Sequence, residues 1–191
     1  VGVSAHFFPA WRISRRADDY QKEAAQKFEE KEYLEALKLQ RNFVMFRPDD
    51  DAARIELGKI ALDVCRLPKV PRKEAQFAWG TILDAVRRTS DKSLRRELAK
   101  MILTHQAPKR AGDALGHLEE LLQNDPSDPE LNRLKVEALF RIKDYRRTNE
   151  FASKLVGFDV KSETFSDEKT IGGDQPEIFY MLAQSLMRAK G

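Results

Sequence analysis

The sequence has few of the residues from which disulfide-bonded or metal-held structures are built. Its 191 residues include a single cysteine, Cys65, which excludes an internal disulfide and leaves neither a CxxC pair nor a zinc-ligand cluster. In the apolar stretch IALDVCRL we expect this cysteine to be a small buried hydrophobe. The net charge is only +3, so the composition indicates no strong electrostatic attraction to nucleic acid.

The sequence also lacks a recognisable catalytic motif. The three histidines, His6, His105 and His117, form no HExxH or HxE arrangement. The segment TIGGDQ follows no predicted strand and does not match a phosphate-binding glycine loop. Adjacent carboxylates such as Glu119 and Glu120 diverge around a helix and are expected to be solvated. We therefore predict a protein that is not an enzyme and that uses no cofactor and no metal.

What the sequence does contain is a recurring helical pattern. Small residues occupy two of its positions: Ala36, Ala75 and Ala114 in one helix of a pair, and Ala24, Gly58, Ala99 and Ala183 in the other. Pro48 and Pro126 each follow one of these alanines by twelve residues. Small side chains let two helices approach closely, and a proline ends the second helix of a pair. The helix that follows each proline is then expected to be capped by an aspartate: Asp50 after Pro48, and Asp125 or Asp128 near Pro126.

The segments EYLEALKLQRNFVMFRP, LGKIAL and GDALGHLEELLQNDPSDPE resemble tetratricopeptide repeats, and the resemblance covers most of residues 18–191. Each unit departs from the family pattern somewhere. Thr148 stands where alanine is usual, for example, and RLPKVPRKE is inserted between two helices. The resemblance implies an all-α fold, a right-handed α-solenoid of antiparallel helix pairs with about four and a half degenerate repeats.

The predicted organisation has four parts. Residues 1–17 form a basic and aromatic juxtamembrane-like segment. Residues 18–156 form four helix pairs, at 18–47, 51–89, 91–124 and 128–156. Residues 157–175 form an irregular loop, which we interpret as a flexible insertion, with a functional loop as the alternative. Residues 176–191 form the first helix of an incomplete further repeat, so we expect the native protein to continue past Gly191.

The N-terminal segment has the residue order found where a membrane helix leaves the lipid on the cytoplasmic side. Three aromatic residues precede three arginines: Phe7, Phe8, Trp11, Arg12, Arg15 and Arg16. One interpretation is a transmembrane helix upstream of residue 1, and the other is a hydrophobic segment packed on the first helix. The order of features resembles large bacterial membrane-anchored tetratricopeptide proteins, which implies a location at the cytoplasmic face of a membrane.

In arrays of this kind, ligands bind the concave surface formed by the first helix of each pair. Alignment on the small position predicts that this surface includes Gln21, Ala25, Phe28, Ile55, Lys59, Leu62, Arg96, Lys100, Thr104, Arg133, Glu137, Arg141, Tyr180, Gln184 and Met187. The partner-binding candidates among them are Lys59, Arg96, Lys100, Arg133, Arg141 and Tyr180. Arg96 and Lys100, one helical turn apart, could grip a carboxylate of a partner. The alternative is that they are solvent-facing charges near Glu97.

These patterns predict a non-catalytic scaffold that binds a segment of a partner protein, tethered to a membrane. One alternative is an RNA-associated helical repeat, with binding that weakens steeply with salt. Its phosphate contacts would be Arg87, Arg88, Arg95, Arg96 and Lys100. The small net charge and the scarcity of exposed aromatic residues for base stacking argue against RNA. Another alternative is a structural subunit that self-associates into a homo-oligomer.

Overall fold

A computed structural model describes residues 7–104, 110–166 and 170–189 of the chain, with side chains from Arg15 onward. Within these ranges the protein consists of nine α-helices and one short antiparallel hairpin, so the prediction of an all-α chain is confirmed apart from that hairpin. The elements are α1 (Phe7–Glu29), α2 (Tyr33–Phe46), α3 (Asp51–Arg66), α4 (Arg72–Thr89), α5 (Lys92–Thr104), α6 (Ala111–Asn124), α7 (Pro129–Arg141), α8 (Tyr145–Val156), β1 (Phe158–Asp159), β2 (Thr164–Phe165) and α9 (Pro176–Ala189).

Aspartate side chains cap four of these helices, among them α5, where Asp91 accepts a hydrogen bond of 2.6 Å from the Leu94 N–H. At the start of α3, the carboxylate of Asp50 accepts a hydrogen bond of 2.8 Å from the Ala53 N–H. At the start of α7, Asp128 accepts one of 2.9 Å from the Leu131 N–H. Asp144 caps α8 in the same way. Each bond satisfies a first-turn N–H that has no partner within its own helix.

Helices α2, α3 and α6 each end two residues before a proline, and the prolines after α2 and α6 are the predicted stop signals. Helix α2 ends at Phe46, two residues before Pro48, and α6 ends at Asn124, two residues before Pro126. Proline has no N–H to donate and disfavours the helical conformation in the residue before it. The stop signals in the sequence therefore account for both helix ends.

The chain divides into two compact units, Val1–Leu94 and Arg95–Gly191. In the first unit, α1 packs on α2, α2 on α3 and α3 on α4. In the second unit, α6 packs on α7, and α9 packs on both α7 and α8. Helices that pack on their neighbours in sequence are typical of helical repeat proteins.

Small residues are buried within the helices of the first unit. Ala24, Ala36 and Gly58, three of the predicted small positions, are all buried. Ala75 is only half-buried, whereas Ala78 in the same helix is fully buried. Three residues make nearly one helical turn, so these two alanines share a face of α4. The buried small residue on that face is Ala78 and not the predicted Ala75.

A hydrophobic cluster in the second unit holds α9 against α7 and α8. Its buried members are Val136, Ala152, Leu155, Val156, Ile178, Met181 and Leu182. Burying a side chain such as leucine or isoleucine contributes about 1.5–3 kcal/mol of hydrophobic free energy. Helix α9 is therefore an integral part of this unit and not a peripheral attachment.

A short hairpin lies within residues 157–175, which were predicted to be irregular. Gly157 ends α8 with a φ of +68°, a left-handed conformation that glycine adopts readily. Phe158 and Phe165 pair across the hairpin with ring centroids 4.8 Å apart, and Phe165 lies 5.9 Å from the ring of Phe179 in α9. Aromatic contacts therefore anchor the hairpin on α9.

The single cysteine is less buried than the sequence predicted. Cys65 lies in α3 and is half-buried. Burial raises the pKa of its thiol, so the thiol is neutral at physiological pH.

Candidate functional site

The predicted basic patch on α5 contacts carboxylates of the same unit. Arg96 forms ion pairs with Asp128 and with Glu130, the latter at 3.4 Å. Nζ of Lys100 lies 2.8 Å from Oε1 of Glu130 and 3.3 Å from Oε1 of Glu97. The hydrogen bond to Glu130 raises the pKa of Lys100, which stays protonated. The structure thus brings Arg96 and Lys100 together, around carboxylates that already neutralise them.

The two predicted arginines of α7 are paired as well. Nη1 of Arg133 lies 3.4 Å, and Nη2 of Arg141 lies 2.6 Å, from the carboxylate of Glu137. All three side chains are about a quarter exposed. Glu137, which the sequence placed on the same face, thus neutralises part of the positive charge of the two arginines.

Lys59 and Tyr180, the remaining partner-binding candidates, are exposed. Nζ of Lys59 lies 3.8 Å from the carboxylate of Glu56, and both side chains are about half exposed. The Tyr180 side chain in α9 is 64% exposed. An ion pair this exposed contributes little stability, so Lys59 can rearrange at low cost.

Asp128 contributes to stability through both its cap and its charge. Burial alone would raise the pKa of Asp128, but the hydrogen bond from the Leu131 N–H and the Arg96 guanidinium hold it below its ordinary value. A carboxyl whose pKa is lowered by folding stabilises the protein above its unfolded-state pKa of about 4. That contribution is lost as the pH falls through the folded-state pKa.

Asp128→Ala is expected to lower the free energy of unfolding by about 1–2 kcal/mol at pH 7, because it removes both the cap and the ion pair. Asp128→Asn keeps a capping side chain and is expected to cost less. Urea unfolding at pH 7 and pH 3 checks both variants. The difference between wild type and Asp128→Asn should shrink at the lower pH, and an unchanged difference would contradict the role assigned to the charge.

A groove of about 420 Å³ lies between α1 and α3 in the first unit. Most of its exposed lining is apolar. The lining residues are Gln21, Ala25, Phe28 and Glu29 from α1, Gln40 from α2, and Asp50, Ala52, Ala53, Glu56 and Ile60 from α3 and its cap. We call this feature the α1–α3 groove.

Contacts within the first unit hold this lining in place. Gln40 is only 3% exposed, and its Nε2 donates a hydrogen bond of 3.1 Å to the carbonyl oxygen of Ala53. This bond ties α2 to the first turn of α3. Phe28 meets the ring of Tyr33 edge to face, with centroids 5.2 Å apart. The groove is thus formed by packed side chains, and a ligand need not order them at an entropic cost.

The ionisable residues that line the α1–α3 groove are all acidic. They are Glu29, Asp50 and Glu56, and no lysine or arginine of the described ranges lines it. Glu29 and Glu56 are exposed, whereas Asp50 is half-buried and capped onto α3. Among the described residues, no group of histidine, cysteine, aspartate and glutamate side chains is arranged to hold a metal ion. A groove with charges of one sign attracts ligands of the opposite sign.

A second groove of the first unit, the α2–α4 groove, has the opposite charge balance. It has a volume of about 430 Å³, and its lining includes three arginines and one aspartate, Arg41, Arg54, Arg88 and Asp84, together with uncharged polar and apolar residues. The guanidinium of Arg41 lies 4.9 Å from the ring centroid of Phe77. The two grooves therefore offer a matched comparison of charge within one unit.

The α1–α3 groove is lined on α1, but not on α3, by residues that the sequence assigned to a concave surface. These α1 residues are Gln21, Ala25 and Phe28. On α3, the predicted Leu62 is buried in the core. Three of the four lining residues of α3 can be found by stepping three or four positions at a time from the cap Asp50, which gives Ala53, Glu56 and Ile60. The prediction was aligned on Gly58 and therefore described a different face of α3. Each residue turns a helix by about 100°, so a shift of one position is enough to cause this difference.

The predicted membrane-proximal residues belong to α1, which begins at Phe7 and continues without a break to Glu29. Arg15 and Arg16 are exposed, and the guanidinium of Arg16 lies 5.9 Å from the ring centroid of Tyr20. The side chains of the others, Phe7, Phe8, Trp11 and Arg12, lie outside the described residues. Among the helices that the structure describes, none combines the length and the apolar character needed to cross a membrane.

The fold defines the chain as an all-α protein whose helices pack on their neighbours in sequence. No protein-family model matches the sequence, and a search of curated proteins gives no significant match. The similarity to tetratricopeptide repeats therefore stays a prediction from the sequence.

Proposed function

We propose that the protein is a non-catalytic interaction scaffold of the tetratricopeptide type, and that its α1–α3 groove binds a segment of a partner protein. The observation that carries this proposal is the groove itself, an apolar concavity of about 420 Å³ between the first helices of the two predicted repeats in unit one. Its volume is within the usual range for ligand pockets. Peptide recognition by helical proteins commonly uses a groove of this kind to hold apolar anchor residues.

The chemistry of the lining supports binding and gives no support to catalysis. Apart from its carboxylates, the groove is lined by glutamine, alanine, phenylalanine and isoleucine. These residues offer shape, apolar surface and hydrogen bonds, which suit recognition of a segment. Within the described lining there is no serine, cysteine or histidine to act as a nucleophile.

The RNA-associated alternative has less support, because several of its proposed phosphate contacts are engaged within the protein. Nε of Arg88 lies 2.8 Å from Oδ1 of Asp84. Arg95 pairs with Glu120. Phosphate binding would have to break these pairs, in addition to those already described for Arg96 and Lys100, and would lose part of its electrostatic gain.

We also propose that the scaffold acts at the cytoplasmic face of a membrane, as a tethered protein. Support comes from the order of aromatic and basic residues at the start of the chain, which is that of a membrane interface. Fractionation of source cells that express the tagged, full-length protein checks this point. Recovery in the membrane fraction is expected, and recovery only in the soluble fraction would contradict the tether.

Site-specific photo-cross-linking in source cells tests the groove. Ala25 is exposed and lines the α1–α3 groove, whereas Lys38 is exposed and lines neither groove. Each is replaced by p-benzoylphenylalanine in the full-length protein. We expect position 25, and not position 38, to cross-link one protein repeatedly, and this protein should bind the purified chain directly.

The variant Ala25→Trp supplies the matching binding measurement, because a large ring at this exposed position fills the groove without entering the core. Its affinity for the purified partner is expected to fall at least tenfold. Identical adducts from positions 25 and 38, or binding that Ala25→Trp leaves unchanged, would contradict the proposal.

A further inference from the structure

We infer that the segment bound by the α1–α3 groove is basic: an extended or helical peptide that carries lysine or arginine beside at least one apolar anchor. This inference rests on the proposed function and names the chemistry of its ligand. It departs from the expectation drawn from the sequence, in which cationic residues of the protein would hold an acidic partner.

The first argument is the distribution of charge around the groove. Glu29 of α1, Glu56 of α3 and Asp50, the cap of α3, place carboxylates on both of its sides. The whole chain carries a net charge of +3, so an acidic groove does not simply follow from an acidic composition. Of these three carboxylates, that of Glu56 forms an ion pair with Lys59. The two charged groups are 3.8 Å apart, and both side chains are about half exposed. A ligand cation can replace so weak a pair.

The second argument is the apolar lining between these carboxylates. Phe28 is half-buried, and Ala53 and Ile60 are buried. A lysine or arginine binds well in such a setting, because its aliphatic stem packs on apolar surface while its charge reaches the rim. The face of a phenylalanine ring also attracts cations. An apolar anchor of the ligand gains further free energy by burying surface in the same lining.

The third argument is the contrast with the two surfaces described above that carry cationic side chains. The α2–α4 groove has a similar volume but is lined by three arginines and one aspartate. In the second unit, Arg96 and Lys100 are already paired with Asp128 and Glu130. Electrostatic complementarity favours one partner over another mainly through such local differences. The acidic α1–α3 groove is therefore selective for a basic segment.

Selection from a random peptide library tests the inference. Phage that display random 12-residue peptides are selected on the purified full chain, and enriched peptides are synthesised and measured by fluorescence anisotropy. We expect enrichment of lysine or arginine together with apolar residues. The measured affinity should also decrease as salt is raised, because salt screens charges at an exposed rim.

Charge variants locate the binding site. In Glu29→Lys/Glu56→Lys, affinity for the enriched peptides is expected to fall at least tenfold. Glu29→Gln/Glu56→Gln should give a smaller loss of about threefold, and it serves as a second test if the reversal variant folds poorly. Both residues are exposed, and Asp50 is left unchanged because it caps α3. Arg41→Glu, in the α2–α4 groove, is the matched control and should change affinity by less than twofold.

Together, the outcomes distinguish a failure of this inference from a failure of the proposed function. If Ala25→Trp blocks the selected peptides but the peptides are not basic, or if both glutamate variants bind them normally, the ligand chemistry is wrong and the groove remains a peptide site. If Ala25→Trp blocks none of the selected peptides, the groove is not a peptide site and both proposals are overturned. Loss in the glutamate variants with normal binding by Arg41→Glu supports both.

Discussion

Replacing Gly58 with valine is expected to lower the free energy of unfolding by roughly 3 kcal/mol, the upper part of the range for overpacked cores. A Cβ atom at this position would lie 2.7 Å from Cδ2 of Leu94 and 2.9 Å from Cβ of Ala85. The end of the Leu94 side chain can rotate away. The Cβ of Ala85 is fixed to the backbone of α4, so α3 and α4 would have to move apart.

Gly80→Ala is the control for this substitution, since Gly80 lies in α4, in the same unit, and is exposed. A Cβ atom there would meet no neighbouring atom within 4 Å. Alanine is a better helix former than glycine, so this variant should gain about 0.5–1 kcal/mol. Urea unfolding followed by circular dichroism measures both variants. An unfolding midpoint of Gly58→Val at or above that of the wild type would refute the close packing at Gly58.

Ile178→Ala is expected to lower the free energy of unfolding by about 3–4 kcal/mol, because a fully buried isoleucine loses its packing and leaves a cavity. Ile178 is 0% exposed and belongs to the cluster that joins α7, α8 and α9. The loss should appear as a lower urea midpoint and as faster hydrogen exchange in α9, since that helix depends on this side chain for its attachment.

Tyr180→Ala, two residues along the same helix, provides the comparison. Tyr180 is 64% exposed, so its removal is expected to change the free energy of unfolding by less than about 0.5 kcal/mol. Equal losses from the two variants would mean that α9 is not anchored through Ile178. A change in partner binding by Tyr180→Ala at unchanged stability would support the interpretation of Tyr180 as a binding residue.

The helical architecture could be predicted because its signals are local. Pro48 and Pro126 lie just beyond the ends of α2 and α6, and Asp50 caps α3. Each signal acts on backbone groups only a few residues away, so it can be read directly from the chain. The burial of Ala24 and Gly58 follows in the same way from their helical spacing.

The pairing of the predicted basic patch with carboxylates could not be predicted from local signals. Arg96 and Lys100 are separated from Asp128 and Glu130 by about thirty residues, and the intervening chain includes all of α6. Their pairing depends on how the helices pack, which periodicity alone does not specify. A cluster of cations in a sequence therefore indicates an anion-binding surface only when its carboxylate neighbours in space are known.

The acidic groove was missed for a related reason. Its carboxylates come from two helices, Glu29 near the end of α1 and Glu56 in the middle of α3. Neither forms a motif within its own helix. The hairpin after α8 was missed because its strands have only two residues each, which is too short to show the alternation of a strand.

The packing of helices on their sequence neighbours also has a kinetic consequence. Within the first unit, the consecutive helices that pack on each other are joined by short connections, so little chain entropy is lost when they come together. Proteins dominated by such local contacts fold within microseconds to milliseconds. The first unit is therefore expected to reach its native core quickly after synthesis, with little time spent exposing apolar helix faces to other chains.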